Sequence, residues 1–324
     1  MTGDEQNIQI ENFKNKLTFA WWNTSLAPTR GKNNISDSDI EHAKKVIQHL
    51  INEHHASCIA IGEVNFNIIK ELAESIVSGH YNFIEQTSKE GRLQFDTGII
   101  YDKRKLNFKE SKNIISKYGV NSFRIASKVE FQVYYTDQPF YIFVSHWNSR
   151  QHCPENDSMR STLGRELYAS YKNVVNTEKT KANDSCYAIL LGDYNDEPFS
   201  KSLAEHLLAT RDRKVVLKNK GTYLYNPFWR KLGESNIHKP DTPCKSYAGT
   251  YYHSSGNHTK WRTFDQIIFS SSFLTNKEWQ LNEECSHIIQ DYFISEKVIE
   301  KTSRFDHFPV ISTIHRKGKE HYEQ

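Results

Sequence analysis

Six apolar runs of strand length are each punctuated by a residue type that handles metal ions or phosphate, and no other feature of the sequence constrains the fold as much. Residues 17–22 stop at Asn23, residues 58–62 at Glu63, and residues 140–145 at His146, with Asn148 two positions further on. The run 187–191 leads through Gly192 to Asp193 and Asn195, the strand pattern of 263–270 contains Asp265, and Asp306-His307 stands just before the run 309–314. Continuous apolar stretches this short read as buried strands. Strand ends are rigid, so side chains carried there converge with the accuracy that catalysis demands.

Helical spacing fills several of the intervals. Ile40, Ala43, Ile47, Leu50 and Ile51 share one face of a predicted helix, with Ser38 and Glu41 fitting a capping box at its start. Ile69, Leu72, Ala73 and Ile76 mark a second helix, Leu163, Leu167 and Tyr171 a third over 159–175, and Ser200 is expected to cap a short one ending at Leu208. Further strands are expected at 81–84, 97–101 and 123–135. The stretch 214–262 reads as irregular, with Tyr and Trp interleaved among Lys and Arg. No repeat, low-complexity linker or shift in composition divides the chain. A single domain over 17–316, between polar tails 1–16 and 317–324, is the expected organisation.

Composition excludes more than it assigns. A formal charge of +3 over 324 residues predicts no polyanion partner from global charge alone, so any nucleic-acid surface must come from local clustering. The five cysteines, Cys58, Cys153, Cys186, Cys244 and Cys285, are scattered without a C-x-x-C pair, a pattern of free thiols in a reducing compartment. Residues 1–16 contain no apolar signal-type core, and nothing later approaches a membrane span. A cytoplasmic protein without membrane association is the expectation.

Taken singly, most of the punctuating residues have plain explanations. Asn23 suits a turn, Glu63 a loop, Asp193 to Asn195 an Asx turn, and His146 a satisfied core position. His54-His55 at a helix end complements the helix dipole, and Lys103-Arg104-Lys105 reads as a solvated hairpin end. Asp265 is different, because a carboxylate in an apolar strand is costly to bury unpaired and needs a partner; His307 is the natural one. Taken together, these residues supply what a phosphodiester requires. Oxygen ligands suit a hard cation such as Mg²⁺, and carboxylate, amide and imidazole groups activate water and stabilise the developing charge.

In this order the residues resemble the endonuclease/exonuclease/phosphatase superfamily, to which pancreatic-type deoxyribonucleases belong. The matching segments are Ala20-Trp21-Trp22-Asn23, Ile61-Gly62-Glu63-Val64, Ser145-His146-Trp147-Asn148, Leu191-Gly192-Asp193-Tyr194-Asn195, Thr263-Phe264-Asp265-Gln266 and Phe305-Asp306-His307-Phe308. The resemblance implies an α/β fold, a four-layer sandwich of two mainly antiparallel β-sheets packed face to face and flanked by helices, with the site at one rim. It implies that Glu63 and Asp306 bind Mg²⁺ or Mn²⁺, with Asn23 in or beside the ligand set. Asp193 would orient or deprotonate the attacking water, and Asn195 and Asn148 would meet substrate. His307, paired with Asp265, would stabilise pentacovalent phosphorus or assist the leaving group. His146 matches the second histidine of the deoxyribonuclease branch, with Asp96 a candidate to orient it. Arg160 or Arg165 would contact a phosphate. Phe305 and Gln266 depart from the family's usual Ser and Tyr at those positions.

The function so implied is a metal-dependent nuclease hydrolysing DNA. The aromatic and basic residues between Arg211 and Arg262 suit stacked bases and phosphates, and this segment is expected to border the site. The alternatives are a phosphatase or phosphodiesterase acting on RNA, a small molecule or a lipid head group, and a non-catalytic binding module on the same fold.

Overall fold

In the computed structural model, which describes residues 14–27, 35–91, 93–118, 121–136, 138–181, 185–233 and 247–317, the apolar runs form the inner strands of two β-sheets. Strands β1 (Lys16–Asn23), β2 (Ala56–Gly62), β3 (Tyr81–Gln86) and β4 (Thr97–Asp102) belong to the first. The second is built by β5 (Leu106–Tyr118), β6 (Asn121–Val133), β7 (Pro139–His146), β8 (Tyr187–Asp193), β9 (Ala209–Thr210), β10 (Leu224–Tyr225) and β11 (Asp265–Phe269). The chain then returns to the first sheet as β12 (Trp279–Ile288) and β13 (Val310–Arg316). The strand orders are β12-β13-β1-β2-β4-β3 and β9-β10-β11-β8-β7-β6-β5. Among the described residues, parallel pairing is confined to β1 with β2, β7 with β8 and β9 with β10.

The helices are α1 (Asp37–Asn52), α2 (Phe66–Glu74), α3 (Ser158–Thr180), α4 (Arg213–Lys218) and α5 (Tyr292–Ile299). Their placement explains why the strand runs are apolar at every position. Along β1, Phe19 and Trp21 enter the core between the sheets, where they meet Phe140, Ile142, Val144, Ile189 and Leu191. The alternate residues Ala20 and Trp22 face outward and are covered by Ala43, Val46 and Leu50 of α1, Ile69 and Leu72 of α2, and Ile294 of α5. On the second sheet Tyr141, Phe143, Ala188 and Leu190 likewise pack under Leu163, Leu167 and Tyr171 of α3. Helix, sheet, sheet and helix make four layers, as the sequence implies. No helix among the described residues is long and apolar enough to cross a membrane.

Local details differ from the sequence expectations. The capping box of α1 is formed by Ser36 and Asp39, two positions before the expected pair. Ser200 caps nothing: its hydroxyl is buried without a hydrogen-bond partner, and the short helix beyond it spans Ser202–His206. Strand β5 escapes the periodicity because it is an edge strand rich in Lys, Glu, Asn and Ser, the kind of charged edge that discourages pairing with another chain. Within the basic run, Lys105 is buried, and Arg104 is spent on the Asp102 carboxylate. The expected irregular stretch 214–262 holds short elements, including a ribbon of Tyr251–Tyr252 with Trp261–Arg262. Residues 234–246 of that stretch, Cys244 among them, and most of both expected tails lie outside the described residues.

The tightest backbone approach lies at the end of β8, where Gly192 sits at φ +154° and an added Cβ would fall 1.9 Å from the Ser145 carbonyl oxygen. A side chain there forces β7 and β8 apart immediately beside Asp193. Gly192→Ala is expected to destabilise the protein by about 3 kcal/mol or more, read as a lowered urea midpoint; an unchanged midpoint would show that the strand pair yields freely.

Candidate active site

Two ladder rungs assemble the site. In the second sheet Asp193 pairs with His146 on one side and with Asp265 on the other. In the first sheet Asn23 pairs with Gly62, so Glu63 leaves the sheet at the same level, and the segment before β13 brings Asp306 and His307 to this rim. Asn23, Glu63, His146, Asn148, Asp193, Asn195, Asp306 and His307 all line one cleft of about 1010 Å³. Ser25, Glu63 and Asn195, just beyond three of the strand ends, adopt φ of +53°, +54° and +50°. Left-handed backbone is uncommon outside glycine, and three cases around one cleft mark turns held in place by their surroundings.

Each imidazole in the cleft is held by its own carboxylate. His307 Nδ1 donates to Asp265 Oδ2 at 2.8 Å, and the indole of Trp21 donates to Asp265 Oδ1 at 2.7 Å. Burial opposes charge on His307, but the Asp265, Asp193 and Asp306 carboxylates outweigh it and hold the imidazole pKa well above its ordinary value. His146 Nδ1 lies 3.0 and 3.1 Å from the Asp96 oxygens, and Arg124 donates to the same carboxylate at 2.6 Å. Burial alone would raise the Asp96 pKa; His146 and Arg124 together hold it far below the usual carboxylate range. With both Nδ1 atoms so engaged, the Nε2 atoms face the carboxylates of the cleft. That of His307 lies 3.8 Å from Asp193 and from Asp306, and that of His146 lies 3.9 Å from Glu63.

The remaining carboxylates form a connected oxygen cluster. Asn23 Nδ2 donates to Glu63 Oε1 and to Asp193 Oδ2, both at 3.2 Å. Its carbonyl oxygen accepts from the Ser25 amide, and the Ser25 hydroxyl donates to Asp306 Oδ1 at 2.9 Å. Asn23 therefore turns its amide nitrogen, and not its oxygen, to the Glu63 and Asp193 carboxylates. Glu63 Oε2 is buried with no hydrogen-bond partner among the described residues. An orphaned carboxylate oxygen among like charges fits a hard divalent cation held by Glu63 and Asp306. Asp193, Asp265 and His307 also bring ligating atoms within 4.8 Å of one another. Both Asp265 oxygens are already bound to Trp21 and His307, however, so that trio suits proton handling better than metal binding. Burial, and then the Asp265 carboxylate, push the Asp193 pKa upward, towards the range useful to a base.

Two arginine expectations fail for a geometric reason. Arg160 is buried and donates to the carbonyls of Asn148, Cys153, Pro154 and Tyr194, so its guanidinium organises the loop behind the cleft. Arg165 is exposed and reaches only Thr162 within α3. The cleft instead presents Arg124, Arg150 and Arg262, with Tyr251 and Phe264. Arg150 donates to the Asn195 carbonyl and lies over the Phe264 ring. Tyr251 packs on the His307 ring at 4.6 Å. Sequence reasoning missed Arg124, Arg150 and Phe264, although a charge mid-strand at Arg124 was a signal, whereas Tyr251 and Arg262 belong to the segment expected to border the site. Among the described residues, the aromatic-basic segment borders the cleft through its second half; Arg213 and Arg230 pair with Glu283, and Arg211 lies over Trp229.

The two departures from the family pattern are absorbed by packing. Phe305 stacks on Trp22 at 5.8 Å and tilts against His42, fixing the turn before Asp306. Gln266 accepts from Asn226 and donates to the Asp196 and Thr263 carbonyls, so its amide is fully used inside the second sheet.

The sequence profile of the Endonuclease/Exonuclease/phosphatase family matches residues 29–310. No curated protein sequence matches the chain significantly. Among solved structures, the human Nocturnin catalytic domain with bound sulfate anion is 15% identical, covering 93% of this chain and 95% of that one, at a TM-score of 0.59. The mannosyl-6-phosphatase of Bacteroides thetaiotaomicron VPI-5482 is 17% identical over 93% of this chain and 100% of its own, at 0.54. D. rerio TDP2 complexed with single strand DNA product is 16% identical over 93% and 99%, at 0.50. At these identities the likeness speaks to the fold.

Removing the Asp265 carboxylate strands the Trp21 indole and the His307 imidazole together. Asp265→Ala is expected to cost about 3–5 kcal/mol of stability, measured by urea denaturation. A loss below about 1 kcal/mol would mean that the two donors find other partners and that the pairing is incidental.

Proposed function

The chain belongs to the endonuclease/exonuclease/phosphatase family, and on that premise we propose that this phosphoesterase is a Mg²⁺- or Mn²⁺-dependent phosphodiesterase acting on nucleic acid, DNA foremost. The observation that carries the reading is the meeting, in one cleft, of three carboxylates with two imidazoles that each have a carboxylate of their own. Glu63 and Asp306 would hold the cation, which would supply charge neutralisation at the phosphate and a more acidic attacking water. Asp193 takes the proton of the attacking water, its raised pKa matching that task. His307, kept cationic by Asp265, hydrogen-bonds the oxygens of pentacovalent phosphorus through Nε2. His146, oriented by Asp96, delivers a proton to the leaving oxygen, and Asn195 holds a phosphate oxygen.

Nucleic acid is favoured by the cleft wall. Arg124, Arg150 and Arg262 offer cationic groups to phosphates, and Tyr251 and Phe264 offer faces on which a base can stack. The likeness to TDP2 with its single strand DNA product supports the same choice. The likeness to a mannosyl-6-phosphatase favours a second reading, the same chemistry on the phosphomonoester of a small molecule.

Metal-depleted protein is expected to cleave neither DNA nor a chromogenic phosphodiester, and added Mg²⁺ or Mn²⁺ to restore both activities. Glu63→Gln should lower kcat by about 100-fold or more while the thermal melt is retained. Hydrolysis that survives EDTA undiminished would refute the metal-dependent reading. Turnover confined to a sugar phosphate would replace DNA with the second substrate class.

A further inference from the structure

Away from the cleft, the outer face of the first sheet carries a cluster of side chains that phosphoester chemistry leaves unused. His49 in the last turn of α1, His54 just past its C-cap Glu53, and Asp291 at the start of α5 each bring a ligating atom within 4.8 Å of the others. His55 takes φ +53° as the chain reverses into β2, and His54 packs edge-on against His49 with ring centroids 5.1 Å apart. On its other side His54 meets His287 of β12 at 5.8 Å.

Asp291 is the telling member. It occupies the N-cap of α5, where an aspartate ordinarily accepts a backbone N–H, yet its side chain makes no cap hydrogen bond. Its Oδ2 instead lies 3.1 Å from His49 Nε2. That nitrogen is buried and makes no well-directed hydrogen bond, with Asp291 or any other described residue. A carboxylate that forgoes its cap and an imidazole nitrogen that approaches it without bonding are arranged for a shared third partner. Complementing the helix dipole, the plain reading of His54-His55, explains neither.

We propose that His49, His54 and Asp291 form a second metal site, for a borderline transition cation of the Zn²⁺ class. Imidazole ligands select such ions over Mg²⁺, which the carboxylate oxygens of Glu63 and Asp306 suit. A tetrahedral ion with bonds of about 2.1 Å asks for ligand atoms about 3.4 Å apart, which small rotations of His54 and the exposed Asp291 supply.

The test is a Co²⁺ titration of metal-depleted protein in saturating Mg²⁺, followed by the visible d–d bands, with Zn²⁺ as competitor. One Co²⁺ per chain is expected, displaced by Zn²⁺. His54→Gln and Asp291→Asn should each weaken it by about 100-fold or more, beyond the effect of losing an outer-shell partner, with metal-free melts and Mg²⁺-dependent hydrolysis unchanged. Glu63→Gln should retain the bands. Absence of tight Co²⁺ binding, its persistence in both variants, or its loss in Glu63→Gln would each overturn the site.

Discussion

Asp265 is a carboxylate out of reach of water, and both of its oxygens are engaged by residues of the opposite sheet. Trp21 of β1 donates to one and His307, just before β13, donates to the other, although Asp265 itself belongs to the second sheet. A buried carboxylate without such donors would be strongly destabilising, so these two bonds fix how the sheets meet at the rim. Neighbouring backbone follows. The Asp265 amide donates to the Thr250 hydroxyl, Phe308 donates to the Thr250 carbonyl, and Tyr252 donates to the Asp306 carbonyl. The ribbon that carries Tyr251 over the His307 ring is thereby locked to the same point. One interaction thus spans fold and chemistry, since it positions an imidazole by satisfying a buried charge.

The rest of the rim holds more negative charge than its own hydrogen bonds neutralise. Glu63, Asp193 and Asp306 converge around Asn23 and Ser25, and Glu63 Oε2 makes no hydrogen bond among the described residues. Three non-glycine residues in left-handed backbone surround this cluster. Such an arrangement persists because the strands behind it are packed on both faces and cannot relax the turns. Arg124 and Arg150 also line the cleft, the first held by Asp96 and the second by Glu155 and Asp196.

Much of this was legible in the sequence for stated reasons. The inner strands were readable because burial on two faces leaves an unbroken apolar run, and Asp265 called for His307 because an unpaired carboxylate is intolerable there. Asp96 was nameable as a candidate partner of His146 because the resemblance to deoxyribonucleases implies a carboxylate on a preceding strand. What stayed hidden depends on reach and competition. Nothing in helical spacing tells that Arg160 finds four loop carbonyls while Arg150, nearer to His146, reaches the cleft. Edge strand β5 lacks an apolar face to announce it, and the Ser36 cap outcompeted Ser38 through a geometry that residue type alone does not fix.

The central claim is that strand ends of two facing sheets create one oxygen site for a hard cation beside two carboxylate-held imidazoles. The most direct measurement is an anomalous difference map from crystals soaked in Mn²⁺. A single peak in the cleft is expected, within about 2.0–2.2 Å of oxygens from Glu63 and Asp306, with the Asp265–His307 bond intact. A peak seated on Asp265 and His307, or a cleft without Mn²⁺ at saturating concentration, would contradict the account.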